Sequence, residues 1–149
     1  MYYTPQDVMQ FLANKQFIDT AVIPLVSISF DEQKSKHISS AADFLMALTN
    51  FIEQQFKGRL MVTPPFTYFD EKYEMLNVDL IHDQLQLAGF KHIFFITCDN
   101  LWLNCNNSNE VIWLPAIPLE SMDKGVKQRI LEDQLSHIIP RFTSSWVKQ

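Results

Sequence analysis

The sequence predicts an α/β fold, a single layered domain over residues 1–149 with helices packed against a mixed four-stranded sheet. Three observations lead to this fold class. Amphipathic segments with helical spacing alternate with short apolar runs that are typical of strands. Glycines stand where two of the predicted helices end. With 47% apolar and 19% charged residues, a chain of 149 residues can bury one hydrophobic core.

The first helix is predicted near the start of the chain. Thr4 is suited to cap it, Pro5 fits its first position, and an apolar stripe follows before the helix ends near Phe17. Residues 21–28 are apolar and β-branched and form the first predicted strand. Because Pro24 lacks a backbone N–H, we expect this strand to lie at an edge of the sheet or to bulge.

The clearest helix is predicted to open at Ser40. Its apolar residues follow helical spacing and are Ala41, Phe44, Leu45, Leu48, Phe51, Ile52 and Phe56. Gly58 is expected to end this helix in the left-handed conformation. Residues 60–63 then form the second predicted strand, and the two prolines that follow terminate it.

A third helix is predicted over residues 78–88, closed by Gly89. The run 91–98 is apolar on both faces, so we expect a central strand there. Residues 102–103 and 111–114 flank an asparagine-rich turn at 106–109 and predict an antiparallel hairpin.

A final helix is predicted to begin near Ser121, with Pro140 bending or ending it. The order of elements is therefore α-β-α-β-α-β-β-α. Two successive β-α-β units favour right-handed crossovers and three parallel core strands. The hairpin strand over residues 111–114 would join them antiparallel, at or near one side of the sheet.

The charge balance excludes some partners. Twelve basic and 17 acidic side chains give a formal charge of -5, which repels nucleic acid and acidic membrane surfaces. The sequence contains no export signal and no apolar run of membrane-spanning length, which predicts a cytoplasmic protein. Cys98 and Cys105 lack zinc-site and disulfide spacing and are expected to be reduced thiols. No cofactor is predicted.

Polar side chains follow the predicted parallel strands at their carboxyl ends, which is where open α/β sheets bind ligands. These candidate ligand-binding residues are Ser29, Asp31, Thr63, Thr97, Cys98 and Asp99. Two of the three glycines end helices, so neither a phosphate-binding loop nor a dinucleotide fingerprint is predicted.

Catalysis and metal binding are alternatives to simple packing as explanations for the residues at this edge. Cys98 would be a nucleophile if His37 approached it, but a cysteine buried on an apolar strand is the commoner case. Asp31, His37 and Asp99 are the one set of metal-ligand types that the topology brings near this edge. The histidines at 92 and 137 are predicted to be solitary. We favour packing and assign no catalytic residue and no metal ligand.

An aromatic group lies in a predicted loop after the second strand. Its members are Phe66, Tyr68, Phe69 and Tyr73. A contact surface for a protein partner or a second copy of the chain and an intramolecular lid explain this group equally well.

Several segments together resemble the YpiF-like family of small Bacillus-type proteins. They are residues 18–25, residues 56–59 with 66–68, and residues 89–93. The resemblance covers nearly the whole chain and implies a bacterial cytoplasmic setting. The family carries no assigned activity, so the resemblance implies no mechanism.

Three function classes follow from these residues. The leading hypothesis is a non-catalytic interaction or accessory protein of the bacterial cytoplasm, because no catalytic set converges and the aromatic group suits a contact surface. The alternative is a small-molecule binding domain that uses the carboxyl edge of the sheet. The third is a hydrolase-like enzyme that uses Cys98 or the metal set.

Overall fold

The computed structural model of the protein describes residues 1–105 and 109–148, and within these residues its fold is α/β, as the sequence predicts. The helices are α1 (Pro5–Ala13), α2 (Ser35–Gln55), α3 (Val78–Ala88) and α4 (Lys124–Val147). The strands are β1 (Thr20–Ile28), β2 (Leu60–Val62), β3 (Phe66–Phe69), β4 (His92–Thr97) and β5 (Val111–Trp113). Short 3-10 helices cover Tyr73–Met75 and Asn100–Asn104.

The strands lie in the order β2-β1-β4-β5, with β3 pairing with β1 beyond the end of β2. Every strand pair in the described residues is parallel. The predicted mixed sheet of four strands is therefore corrected to a parallel sheet of five strands. The connection from β1 to β2 through α2 and the connection from β3 to β4 through α3 run in opposite directions across the sheet, as in doubly wound folds.

The predicted antiparallel hairpin is wrong. Trp102 and Leu103 belong to the 3-10 helix Asn100–Asn104, and β5 pairs in parallel with β4 from Phe95↔Val111 to Thr97↔Trp113. A parallel connection needs about a dozen residues, and residues 98–110 supply that length. The predicted asparagine turn falls largely on residues 106–108, which lie outside the described part of the chain.

The prediction that Pro24 places β1 at an edge is also wrong, because β1 is paired on both sides, whereas the pairing register opposite Pro24 does shift by one residue, from Val22↔Val62 to Leu25↔Phe66. The carbonyl of Val22 accepts from the Thr63 N–H on the β2 side. Alternate residues of a strand direct their backbone groups to the same side, so the missing N–H of Pro24 faces that side too. There the neighbouring strand is interrupted between β2 and β3 by Pro64 and Pro65, and no ladder bond is lost.

The two faces of the sheet are covered by different helices. Val22 and Val26 of β1 belong to a buried cluster with α2 and α4, whereas Ala21, Ile23 and Leu25 belong to a second cluster with α1 and α3. This alternation is the two-residue period of a strand buried on both faces. The core therefore consists of two layers separated by the sheet.

The helix ends follow local chemistry. Thr4 caps α1 by accepting from the Asp7 N–H, as the sequence predicts. Gly89 has the predicted left-handed conformation at the end of α3, and Gly58 also has a positive φ just after α2. The predicted start of α2 is corrected from Ser40 to Ser35, and of the two alternatives for Pro140 the helix end is wrong, because Pro140 lies inside α4.

Candidate functional site

A cleft of about 500 Å³ opens at the carboxyl ends of β1, β4 and β5. After β1 the chain continues to α2, which packs on one face of the sheet. After β4 it continues to Trp102, which is buried in the cluster on the other face. Because neighbouring strands send their connections to opposite faces, a crevice forms between them. This cleft therefore lies at the position where doubly wound sheets bind ligands.

The floor of the cleft contains part of the predicted edge. Thr97, Cys98 and Asp99 line it, as expected for the last residue of β4 and the two residues that follow it. The Thr97 hydroxyl donates to the Leu25 carbonyl at 3.1 Å and accepts from the Asp99 N–H at 3.1 Å. This buried threonine joins the ends of β1 and β4 and fixes the start of the loop that carries Asp99.

Ser29, Asp31 and Thr63 were predicted at the same edge but do not line the cleft. Asp31 Oδ1 instead accepts from the Gln33 N–H at 2.8 Å and from the Lys34 N–H at 3.2 Å, so it shapes the turn into α2. The Ser29 hydroxyl accepts from the Asp31 N–H in the same turn. Thr63 donates to its neighbour, the Pro64 carbonyl. These three residues have local structural roles.

Asp99 is the most firmly held polar group of the cleft. Its Oδ2 accepts from the Tyr68 hydroxyl at 2.6 Å and its Oδ1 accepts from the Leu101 N–H at 3.0 Å. Behind it, Trp102 Nε1 donates to the Tyr68 oxygen at 2.8 Å. Burial and the hydrogen bond to Asp99 raise the pKa of Tyr68 far above its ordinary value, so the phenol remains a donor.

Charged side chains surround the mouth of the cleft. Lys34 Nζ lies 3.5 Å from Asp70 Oδ2 and 3.9 Å from Glu71 Oε1. The described residues that line the cleft include three carboxylates, one lysine and His37. Because Lys34 is exposed and already faces two of those carboxylates, the lining has excess negative charge at neutral pH.

An apolar wall completes the cleft. It is formed by Ile38, Ala41 and Leu45 of α2 and by Trp113 at the end of β5. The Trp113 Nε1 donates to the Cys98 carbonyl at 3.2 Å, which fixes the indole against the loop after β4. A pocket with an apolar wall and a few fixed polar groups is typical of small-molecule sites.

The two chemical alternatives for this edge lose support. Burial raises the pKa of the Cys98 thiol to about 12, so the nucleophilic thiolate is scarce at neutral pH. In the described residues no three His, Cys, Asp or Glu side chains converge to hold a metal ion, and the set Asp31, His37 and Asp99 is not brought together.

The structure divides the predicted aromatic contact group. Phe66 to Phe69 form β3 rather than a loop, and Tyr68 is only 1% exposed, so its place on an exposed contact surface is wrong. Tyr73 packs against Trp102 with 5.3 Å between ring centroids. Phe66 is half-buried, and Phe69 is 53% exposed.

Sequence reasoning missed several lining residues, among them Ser27, Lys34, Ile38 and Trp113. Lys34 and Ile38 face the cleft because α2 begins earlier than its apolar stripe indicates. Trp113 reaches the cleft because β5 runs parallel to β4. The capping potential of Asp31 was the one available signal for the earlier helix start.

The chain was compared with known proteins. It is 28% identical over 141 residues to "Uncharacterized protein YpiF" of Bacillus subtilis (strain 168), covering 94% of each chain. No solved structure matches significantly. In the described residues no helix is long and apolar enough to cross a membrane. A protein-family model described as "Protein of unknown function (DUF2487)" matches residues 9–146, so the chain belongs to this family, as the sequence resemblance predicts.

Proposed function

We propose that this protein is a small-molecule binding domain and that its ligand occupies the cleft at the carboxyl edge of the sheet. The observation that carries the proposal is the position of Asp99. Its carboxylate is fixed by Tyr68 and Leu101 at the crevice between β1 and β4. A side chain held by its neighbours before binding loses little entropy when a ligand binds.

The chemistry of the lining favours a particular ligand class. Three carboxylates and one lysine among the described lining residues favour a ligand with a protonated amine or several N–H donors. The wall formed by Ile38, Ala41 and Trp113 favours an apolar or planar part. We therefore propose an amine-bearing organic molecule small enough for a cleft of about 500 Å³.

A matched pair of variants tests this proposal. Ala41→Leu adds three carbons to the wall of the cleft, whereas Ser39→Leu adds bulk to an exposed position two residues earlier on α2. Both proteins are screened by ligand-observed NMR against fragments with equal numbers of amines, neutral compounds and carboxylates. We expect amine fragments to dominate the binding compounds, and we expect Ala41→Leu alone to displace them.

Two outcomes would contradict the proposal. If the unmodified protein bound no fragments, or if both variants bound the same fragments equally, the cleft would not be the binding site. A majority of carboxylates among the displaced fragments would reject the amine class.

An interaction or accessory role is the second candidate. It is favoured by exposed aromatic rings near the ends of β1 and β3, where Phe30 is 85% and Phe69 is 53% exposed. Size-exclusion chromatography and native pulldown with Phe30→Ser and Phe69→Ser test it. Loss of a complex in either variant supports this role, and an unchanged monomer without partners contradicts it.

We also propose the bacterial cytoplasm as the location of this protein. Cys98 is a free thiol, which fits a reducing compartment. Fractionation of cells that express the tagged protein tests this placement, and recovery outside the cytoplasmic fraction contradicts it.

A further inference from the structure

A second group of polar side chains lies at the opposite edge of the sheet, where the strands begin. His92 is the first residue of β4, and its pairing partner Thr20 begins β1 directly after Asp19. The His92 Nδ1 lies 2.7 Å from the Ser145 hydroxyl oxygen near the end of α4. On the other side of the ring, His92 Nε2 lies 3.8 Å from Asp19 Oδ2. The three side chains therefore form a line from serine through imidazole to carboxylate.

The environment sets the roles of the two ring nitrogens. A carboxylate beside Nε2 favours the tautomer that carries its proton there. Nδ1 is then an acceptor, and the Ser145 hydroxyl donates to it. Burial lowers the pKa of His92, while the Asp19 carboxylate opposes this effect, so the ring is neutral at pH 7 and can accept a proton.

Asp19 is itself held in place. Arg59 donates from Nε to Oδ1 at 3.0 Å and from Nη2 to Oδ2 at 3.3 Å, and the Thr20 hydroxyl donates to Oδ1 at 2.9 Å. The Arg59 guanidinium lies over the Trp146 ring at 4.1 Å, and Trp146 Nε1 donates to the Thr20 oxygen. These contacts connect the carboxylate to the same turn of α4 that carries Ser145.

The serine is reachable from solvent. Ser145 lines a shallow concavity of about 460 Å³ together with Lys91, His92 and Lys148. None of the described residues that line this concavity is acidic, although the whole chain has a formal charge of -5. Two ammonium groups there favour negative charge, both on a bound compound and on an oxyanion that forms during a reaction.

We propose that Ser145, His92 and Asp19 form a nucleophilic site that hydrolyses carboxylic esters bearing a negative charge. Ser145 is the nucleophile, His92 is the general base and acid, and Asp19 is a positioning residue that orients the ring. A nucleophile within hydrogen-bond distance of a base that a third group orients is the general signature of such sites. It recurs on unrelated folds and in different chain orders.

The reaction proceeds in two balanced steps. The Ser145 oxygen bonds to the ester carbonyl carbon while His92 Nδ1 takes the hydroxyl proton, and the oxyanion faces the lysines. The carbon–oxygen bond to the alcohol then breaks, and His92 returns the proton to the departing alcohol. In the second step His92 takes a proton from water, the hydroxide adds to the acyl carbon, and the acid leaves as Ser145 regains its proton.

Covalent labelling tests the nucleophile. The full chain is treated with an alkyl fluorophosphonate, and labelled peptides are identified by mass spectrometry. We expect label on Ser145 and a loss of about 100-fold or more in labelling rate in His92→Gln, the range for removing a general base. Ser136→Ala, an exposed serine on the same helix, is the control and should label Ser145 at the unchanged rate.

Hydrolysis tests the substrate class and the positioning role. We expect 4-acetoxybenzenesulfonate to be cleaved faster than neutral phenyl acetate, and Lys148→Gln to remove that preference. Asp19→Asn should lower kcat more than it raises KM, whereas a purely structural carboxylate would only lower the urea midpoint.

An unlabelled Ser145 in the folded protein, or labelling that His92→Gln leaves unchanged, would overturn the proposal. The unmodified protein and His92→Gln must both be folded under the labelling conditions, as a cooperative urea transition shows, and Ser145→Ala serves as the second variant in the hydrolysis assay if His92→Gln does not fold.

Discussion

The hydroxyl of Tyr68 donates a 2.6 Å hydrogen bond to Asp99 Oδ2 across the gap between the edge strand β3 and the loop after β4. The same oxygen accepts from Trp102 Nε1, so a buried indole, a buried phenol and a cleft carboxylate form one chain of donors. The two bonds support each other, because the hydroxyl that donates to Asp99 directs its lone pairs away from the carboxylate and each bond polarises the other. The packing of β3 and the geometry of the cleft are therefore coupled through one side chain.

Tyr68→Phe is expected to destabilise the protein by about 1–3 kcal/mol, because it leaves the buried Trp102 N–H without an acceptor. It should also weaken fragment binding in the cleft, since Asp99 loses a fixed donor. Urea unfolding and ligand-observed NMR measure the two effects. Tyr73→Phe is the matched control, because Tyr73 contacts the same indole only through its ring. Equal effects of the two substitutions would show that the hydrogen bond contributes nothing.

Cys98 should react slowly with thiol reagents in the folded protein. Burial raises its pKa from 9.0 to about 12, so at pH 8 the thiolate is scarcer by roughly three orders of magnitude than for an ordinary thiol. Timed iodoacetamide labelling followed by peptide mass spectrometry measures the rate. We expect labelling to accelerate strongly in urea, and labelling that is equally fast in both conditions would contradict the buried thiol.

The same thiol makes stability depend on alkaline pH. Its folded pKa lies above its unfolded value, so its contribution is fully present below about pH 9 and is lost as pH rises toward 12. Cys98→Ser, whose hydroxyl does not titrate in this range, should reduce the decline of the urea midpoint between pH 8 and pH 10. An identical decline in both proteins would show that other groups cause it.

The long elements of the fold could be predicted from the periodicity of their apolar residues, whereas the short strands could not. The apolar stripe of α2, with six residues inside the helix, and the apolar runs of β1 and β4 are long enough to show a period. β5 has 3 residues and β3 has 4, which is too short for a period to reveal direction or pairing. The sequence assigns Trp102 and Leu103 to a hairpin strand, whereas these residues belong to a 3-10 helix and β5 pairs in parallel with β4.

The candidate cleft was predictable only where it follows strand ends. Thr97 ends β4 and Cys98 and Asp99 directly follow it, so the carboxyl-edge rule locates these residues. His37, which the sequence predicts near this edge, also lines the cleft, whereas Lys34 depends on where α2 begins and Trp113 depends on the direction of β5. The pairing of His92 with Ser145 joins residues 53 positions apart, and such contacts leave no local pattern, so the prediction that His92 is solitary is wrong.

Acidic pH should destabilise the protein partly through His92. Burial lowers the folded pKa of His92 below 6.5, so the unfolded chain binds the proton more readily. The stability from the neutral ring is fully present above about pH 6.5 and is lost as pH falls through the folded pKa. Urea midpoints of the unmodified protein and His92→Gln at pH 7.5, 6.5 and 5.5 measure this. The difference between the urea midpoints of the unmodified protein and His92→Gln should become smaller as the pH falls. The exposed control His137→Gln should show the same pH dependence of the midpoint as the unmodified protein. A gap that stays constant would contradict the lowered pKa.

The buried stripe of α2 should dominate the stability of the domain. Phe44 and Leu48 are both 0% exposed and pack in the cluster that joins α2, α4 and the sheet. Truncating them to Ala removes apolar contacts and leaves a cavity, which costs about 3–5 kcal/mol for Phe44 and about 2–5 kcal/mol for Leu48. Leu87→Ala on α3 is the control, because that side chain is 80% exposed and its loss should change stability by only about 0.5 kcal/mol. Urea unfolding of the three variants measures these differences. Since a domain is stable by only about 5–15 kcal/mol, either core truncation should shift the urea midpoint visibly. A Leu87→Ala effect of equal size would show that α2 is not the main support of the core.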